Sequence, residues 1–306
     1  MKPTILCLSL SLLALAGTAM ADEDEHLRAL LVTGQINQWH NADLMDQVVT
    51  QYLQETGLFE VVEARTPARG EDMSGFAPQW SDFDVVVLNY EGDDWPAATR
   101  TAFEEWMREG GGLVTVHSTD NAFPHWKLFN RMIGLGGWGG RGVEDGPSLY
   151  WEDGEIRLDP STGDTFHPPP HDFLVTARNP DHPVLLDLPE RWLHAEDELY
   201  SRLRGPAQEL DLLATGLADP LQKDASGRNE PVLFTVRYGA GRIFHTTLGH
   251  IPTDATEPTA SVRCVGFITT LQRGSEWAAT GRVSQPVPDD FPGPDAVSVR
   301  EYLGSE

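Results

Sequence analysis

Over the first third of the chain, apolar residues come in uninterrupted runs separated by amphipathic stretches. Residues 28–34 (Arg-Ala-Leu-Leu-Val-Thr-Gly) predict a buried strand that ends in a glycine turn. Residues 43–56 place Leu44, Val48, Tyr52 and Leu53 near helical spacing and predict an amphipathic helix, followed by a short strand at 58–63. Residues 84–89 form a second, almost purely apolar strand. Pro96 opens a helix that carries Phe103, Trp106 and Met107 inward and stops at Gly110-Gly111-Gly112, and 113–116 is a third apolar strand. Apolar strands alternating with helices predict a mostly parallel sheet with helices on both faces.

The pattern loosens after a short helix expected at 127–133. Residues 134–180 are rich in Gly and Pro and read as an insertion carrying a few short strands. Order returns at 211–215, 231–237 and 242–247, the last two facing each other across the hairpin Tyr238-Gly-Ala-Gly241. A closing helix is expected over 258–277. The stretch 281–306 is polar and Pro-rich and reads as a tail.

The N-terminus changes the picture of where the chain works. Lys2 precedes an apolar run over 5–16 that is too short to span a bilayer, and Ala19-Met20-Ala21 supplies small residues ahead of an acidic stretch. This predicts a signal peptide over 1–21, cleaved after Ala21, and a periplasmic or secreted domain over 22–280. Among 306 residues, Asp and Glu number 47 against 22 Lys and Arg, a net charge of −25, which argues against nucleic acid or an anionic membrane as partner. Of the two cysteines, Cys7 falls in the signal peptide, so Cys264 has no partner for an internal disulfide; its apolar surroundings read as structural.

Ligands of an open parallel sheet bind beyond the carboxyl ends of the strands. Those ends carry His40 after the first strand, Asn89, Tyr90 and Glu91 after the second, His117, Ser118 and Asp120 after the third, and Gly249 and His250 after the last. A separate cluster, His194-Ala-Glu-Asp-Glu-Leu-Tyr200, crowds three carboxylates, which reads either as a solvated acidic face or as carboxyls with raised pKa. Other motifs fail on context. Gly134-x-Gly136-x-x-Gly139 follows a helix and opens none, so it is not a dinucleotide turn. His167 and His171 are separated by three prolines that forbid the helix needed to aim both at one metal.

Gly112-Leu-Val-Thr-Val-His-Ser118, His182-Pro183, Asp197-Glu-Leu-Tyr200 and the segment 238–250 resemble, in this order, the trehalose-utilisation (ThuA-like) proteins. The Gly-rich stretch ending at Arg141 is similar to one branch of that family. The resemblance spans roughly 28–277 and implies a class I glutamine-amidotransferase-like (flavodoxin-like) α/β fold. It does not imply amidotransferase chemistry, because His117 and Ser118 stand where that chemistry needs a cysteine. The family's association with sugar catabolism, beside dehydrogenases that make keto-sugars, implies a small-molecule carbohydrate as partner.

For a glycoside or keto-sugar, acid/base elimination, hydrolysis or isomerisation calls for a base (His117 or Glu198) and an acid or enolate stabiliser (His250). His40, Glu91, Trp138, Arg141 and Tyr200 are the expected substrate contacts. Two further readings stand beside this one. In one, His40, His117, His250 and an acid hold a divalent metal such as zinc for hydrolysis. In the other, the protein binds sugar without catalysis.

Overall fold

The computed structural model describes residues 26–302; the expected signal peptide, residues 1–21, lies outside them. One mixed sheet of eleven strands organises the chain. Strand β1 (Leu27–Thr33) leads through helix α1 (Ala42–Glu55) to β2 (Phe59–Arg65), and β3 (Val85–Leu88) leads through α2 (Ala97–Glu109) to β4 (Gly112–Val116). A short helix α3 (Lys127–Ile133) follows. The insertion then supplies β5 (Ser148–Glu152), β6 (Glu155–Asp159) and β7 (His171–Ala177), before β8 (Arg191–Asp197). The chain continues through β9 (Leu210–Leu217), β10 (Asn229–Tyr238) and β11 (Gly241–Thr246), and closes with α4 (Ala260–Arg263) and α5 (Val265–Thr280).

The sheet order is β2-β1-β3-β4-β11-β10-β9-β7-β8, with the β5–β6 hairpin attached to the edge of β10. From β2 to β11 every pairing is parallel. From β11 to β8 every pairing is antiparallel. The expectation of a mostly parallel sheet therefore holds for one half only. The insertion and the segment after it are recruited as sheet strands, because β9 and β10 leave an edge whose N–H and C=O groups need partners.

The continuous apolar runs are explained by burial on two faces. In β1, Ala29 and Leu31 join one core while Leu30 and Val32 join the other, and in β3 Val85 and Val87 divide from Val86 and Leu88 in the same way. The first core packs beneath α1 and α5. The second is dominated by aromatics around α2 and α3, with Trp80, Trp95, Phe103, Phe123 and Trp126 in edge-to-face or stacked contact. The side chain of Asn41 caps α1 by accepting from the Leu44 N–H at 3.1 Å, as a polar residue ahead of an apolar periodic run should.

The closing helix is not continuous. Cys264 is extended and pairs with Val299, and the Val265 N–H donates to the Ser298 carbonyl at 2.9 Å. The polar C-terminal segment is thus a strap laid along the domain, with Phe291 against Trp192 and Arg300 bonded to Asp290 at 2.8 Å. Among the described residues, no helix is long and apolar enough to cross a membrane.

Candidate functional site

The reversal of strand order lies between β1 and β3, and the loops leaving β1, β3, β4 and β11 converge there. The loop after β1 carries Asn37, Trp39 and His40, and His40 is bridged to Pro252 across the site. At the end of β4 the backbone of His117 turns left-handed, with φ 45°. Non-glycine residues adopt that conformation at a cost of about 1–2 kcal/mol, and here it points the imidazole inward. Gly249, with φ 113°, precedes His250; a Cβ there would lie 2.8 Å from Phe267.

The fourth contribution comes from the antiparallel half. Opposite His171 and Phe173, strand β8 carries a bulge, and Glu196 there has φ 30°. Such a bulge re-aims the side chains that follow it. Glu196 is exposed, whereas Asp197, Glu198 and Tyr200 are buried. The acidic cluster is therefore not a solvated face. Asp197 accepts hydrogen bonds from the backbone N–H groups of Glu198 (2.9 Å), Gly249 (2.7 Å) and His250 (2.9 Å), and from His194 Nε2 at 2.8 Å. One carboxylate thereby locks the β8 and β11 loops together.

The donor atoms of His40, His117, Glu198 and His250 all lie within 4.8 Å of one another. His117 Nδ1 donates to the Thr247 carbonyl at 2.7 Å, so its Nε2 keeps a lone pair directed inward. His40 Nδ1 donates to Asn37 Oδ1 at 2.7 Å, and Asn37 in turn donates to Glu91. This turns the lone pair of His40 Nε2 inward as well. Around the centre, His117 Nε2 is 3.3 Å from His250 Nδ1, and His250 Nδ1 is 3.3 Å from Glu198 Oε2. With bonds of roughly 2.0–2.2 Å to nitrogen and oxygen, tetrahedral ligands of one cation stand about 3.4 Å apart. The donor set fits a divalent cation, and the outer hydrogen bonds that fix the imidazoles of His40 and His117 are the usual support for one.

Electrostatics agree. Burial, reinforced by the neighbouring histidines, lowers His40 to about 2. Burial likewise lowers His117 to about 3, outweighing Asp197, and pushes His250 below its usual range. The three imidazoles are neutral at neutral pH, as metal ligands must be. Glu198 is raised to about 8, first by burial and then by Asp197. Its 3.3–3.7 Å contacts with His250 and His117 are therefore not ion pairs when no cation is bound.

Above this floor opens a cavity of about 730 Å³. Trp138, held at φ 43° between glycines, packs edge-on against Tyr200 with ring centroids 4.6 Å apart. Trp39, 66% exposed, stands at the rim. Glu91 and Asn121 line the wall. His167 enters from the insertion with its Nε2 3.7 Å from Glu198 Oε1, while His171 faces away and bonds the Pro169 carbonyl.

The family model described as "Trehalose utilisation", ThuA, matches residues 28–278. The chain belongs to the ThuA family. This ThuA-family chain is 45% identical to a ThuA-like protein of Parabacteroides merdae whose crystal structure is solved, with 90% of this chain and 98% of that one covered and a TM-score of 0.87. A ThuA-like protein of Bacteroides uniformis, 19% identical with a TM-score of 0.56, covers 86% of this chain and 96% of its own, and shares the fold. No curated protein matches significantly.

Of the residues expected from the sequence of this ThuA-family protein, seven meet at the cavity: His40, Glu91, His117, Trp138, Glu198, Tyr200 and His250. Arg141 does not. Its guanidinium is buried and committed to Asn130 and to the carbonyls of Asn121, Ala122 and Gly137 at 2.6–3.2 Å, where it braces the Gly-rich loop behind Trp138. Asn37, Trp39, Asn121 and His167 were not expected. Asn37 and Trp39 lie in the same strand-end loop as His40, a signal that could have found them; His167 stands in the His167-Pro-Pro-Pro-His171 motif, set aside because its prolines forbid a helix.

Proposed function

We propose that this protein is a divalent-metal-dependent enzyme of carbohydrate catabolism, acting on a glycoside or its keto-sugar form. The observation that carries the reading is the convergence of His40, His117, Glu198 and His250 at the floor of a cavity rimmed by tryptophans. When bound, a cation there supplies a Lewis acid for a sugar oxygen. The chain's own residues do the rest. Trp39 and Trp138 offer flat apolar faces to a sugar ring, and Asn37, Glu91 and Asn121 offer hydrogen bonds to hydroxyls.

For a 3-keto-glycoside the chemistry balances without a further reactant. A base takes the proton from C2, the electron pair forms the C1–C2 double bond, and the C1–O bond breaks to release the alcohol, which receives the proton. His167 is placed to carry that proton, since it reaches the cavity without joining the donor set, its Nε2 3.7 Å from Glu198 Oε1. His117 and His250, first read as base and acid, fit better as ligands, because Thr247 and the donor cluster use their nitrogens. The sequence further supports export through residues 1–21; N-terminal sequencing of the purified protein checks it.

The test is metal content and turnover of untagged protein on glycosides and their 3-keto derivatives. About one cation per chain, with turnover lost on chelation and restored by readdition, supports the reading. Metal-independent turnover, or tight sugar binding with no turnover on any of the panel, overturns it, and the second result points to a sugar-binding protein.

A further inference from the structure

The phenol of Tyr200 intrudes into the centre of the donor set. Its oxygen is 2.6 Å from His117 Nε2 and 3.5 Å from His40 Nε2, the two nitrogens whose lone pairs are turned inward by Thr247 and Asn37. We propose that Tyr200 is itself a ligand of the cation held by His40, His117, Glu198 and His250, through its phenolate oxygen. This rests on the metal-site reading above and names a donor that reading does not include.

Three observations carry it. Ligands at 90° around one cation stand about 3.0 Å apart for bonds near 2.1 Å, and the phenol oxygen, at 2.6 and 3.5 Å from its two histidine neighbours, brackets that spacing. Second, the hydrogen bond from Tyr200 to His117 cannot survive cation binding: the Nε2 lone pair it uses is the one the cation takes, and Nδ1 is committed to Thr247. The ring cannot swing away to find water, because it is 1% exposed, stacked on His117 with centroids 4.5 Å apart, and abutted by Trp138. Of the groups around the hydroxyl only Glu198 then remains as an acceptor, and ligation of the phenolate leaves both oxygens of that carboxylate to the cation. Third, charge balances. Three neutral imidazoles and one carboxylate leave a divalent cation with one uncompensated positive charge in a buried place, and a phenolate cancels it.

In this step the phenol O–H bond breaks, its proton leaves to solvent, and an oxygen–metal bond forms with no change of oxidation state. The resulting donor set is all nitrogen and oxygen, which suits zinc, iron or manganese over the soft cations that thiolates select.

The probe is Cu(II), which binds such sites strongly and develops an absorption band in the visible or near-ultraviolet when a phenolate ligates it. Chelator-stripped protein is titrated with one equivalent, alongside Tyr200→Phe and, as a control, Tyr90→Phe, whose hydroxyl bonds the Asp93 carbonyl away from the donor set. The expected result is a band in wild type and Tyr90→Phe that is lost in Tyr200→Phe, with about one copper retained by all three. Raman excitation within the wild-type band should enhance tyrosine ring modes, a readout that needs no variant and excludes a Cys264 origin. Copper bound without a band, or a band that survives in Tyr200→Phe, overturns the proposal and leaves the four-residue site standing. Failure of wild type to retain copper or zinc removes the site and the proposal together.

Discussion

The backbone N–H of His250 donates to Asp197 Oδ1 at 2.9 Å, across 53 positions of sequence and from one half of the sheet to the other. The same carboxylate holds His194 at 2.8 Å, with both side chains wholly buried. Burial alone would discharge His194, but Cys264 and Asp197 outweigh it and raise the imidazolium to about 10. Burial would also raise Asp197, yet His194 and the surrounding N–H donors hold it below the usual carboxylate range.

Asp197→Asn should therefore do two things. Leaving His194 buried beside a neutral amide should cost roughly 3–5 kcal/mol of stability, read by urea unfolding. Loosening the loops of Glu198 and His250 should weaken cation binding by about 10–100-fold, read by competition with a chromogenic chelator. Unchanged affinity in a folded Asp197→Asn protein would show that the carboxylate serves the scaffold alone.

Trp39 makes its contribution outside the core. At 66% exposure it supports no packing that folding needs. Trp39→Ala should leave the melting temperature within a degree or so while weakening sugar binding several-fold, on the scale of about 0.5–1.5 kcal/mol for an aromatic face. Calorimetry with a bound glycoside checks it; equal affinities would place the sugar elsewhere in the cavity.

Glu230 supplies a pH dependence of stability away from the site. It is buried, and desolvation raises it to about 7 although Ser226 and the Arg202 N–H favour its charged form. The folded state thus holds a proton that the unfolded state, with its ordinary carboxyl, has released. The stabilisation is complete below about pH 4.5 and is lost as pH rises through about 7. Glu230→Gln has no such titration, so its stability relative to wild type should rise between pH 5 and pH 8 by on the order of 2 kcal/mol. Parallel unfolding curves at both pH values would contradict this.

Gly249→Ala tests how His250 is aimed. At φ 113° an alanine is strained, and its Cβ would press on Phe267. The variant should lose about 1–3 kcal/mol and cation affinity together, whereas a purely structural glycine would cost stability alone.

How much of this was legible follows from where each signal lay. Strands β1, β3, β4 and β11 are apolar on both faces, so their runs announced both the parallel half and its ligand-bearing ends at His40, Glu91, His117 and His250. Strand β8 gave no such run. Trp192, His194 and Asp197 are buried polar or bulky groups whose partners lie at Gly249, Cys264 and Phe291, and only three-dimensional proximity distinguishes them from an acidic surface. Arg141 failed for a related reason: a guanidinium beside glycines reads as a ligand contact until its acceptors prove to be main-chain carbonyls. His167 was missed because the rule applied to it asked for two histidines on one helix, whereas its partner is a carboxylate on a distant loop.

The donor set draws its members from positions 40, 117, 198 and 250, on loops that meet only when both halves of the sheet are complete. An extended chain offers a cation four scattered groups and no cage. If the chain is exported unfolded, the expectation for residues 1–21, it travels without a cation. Any cation such a chain takes up is then drawn from the compartment in which it folds, and not from the cytoplasm.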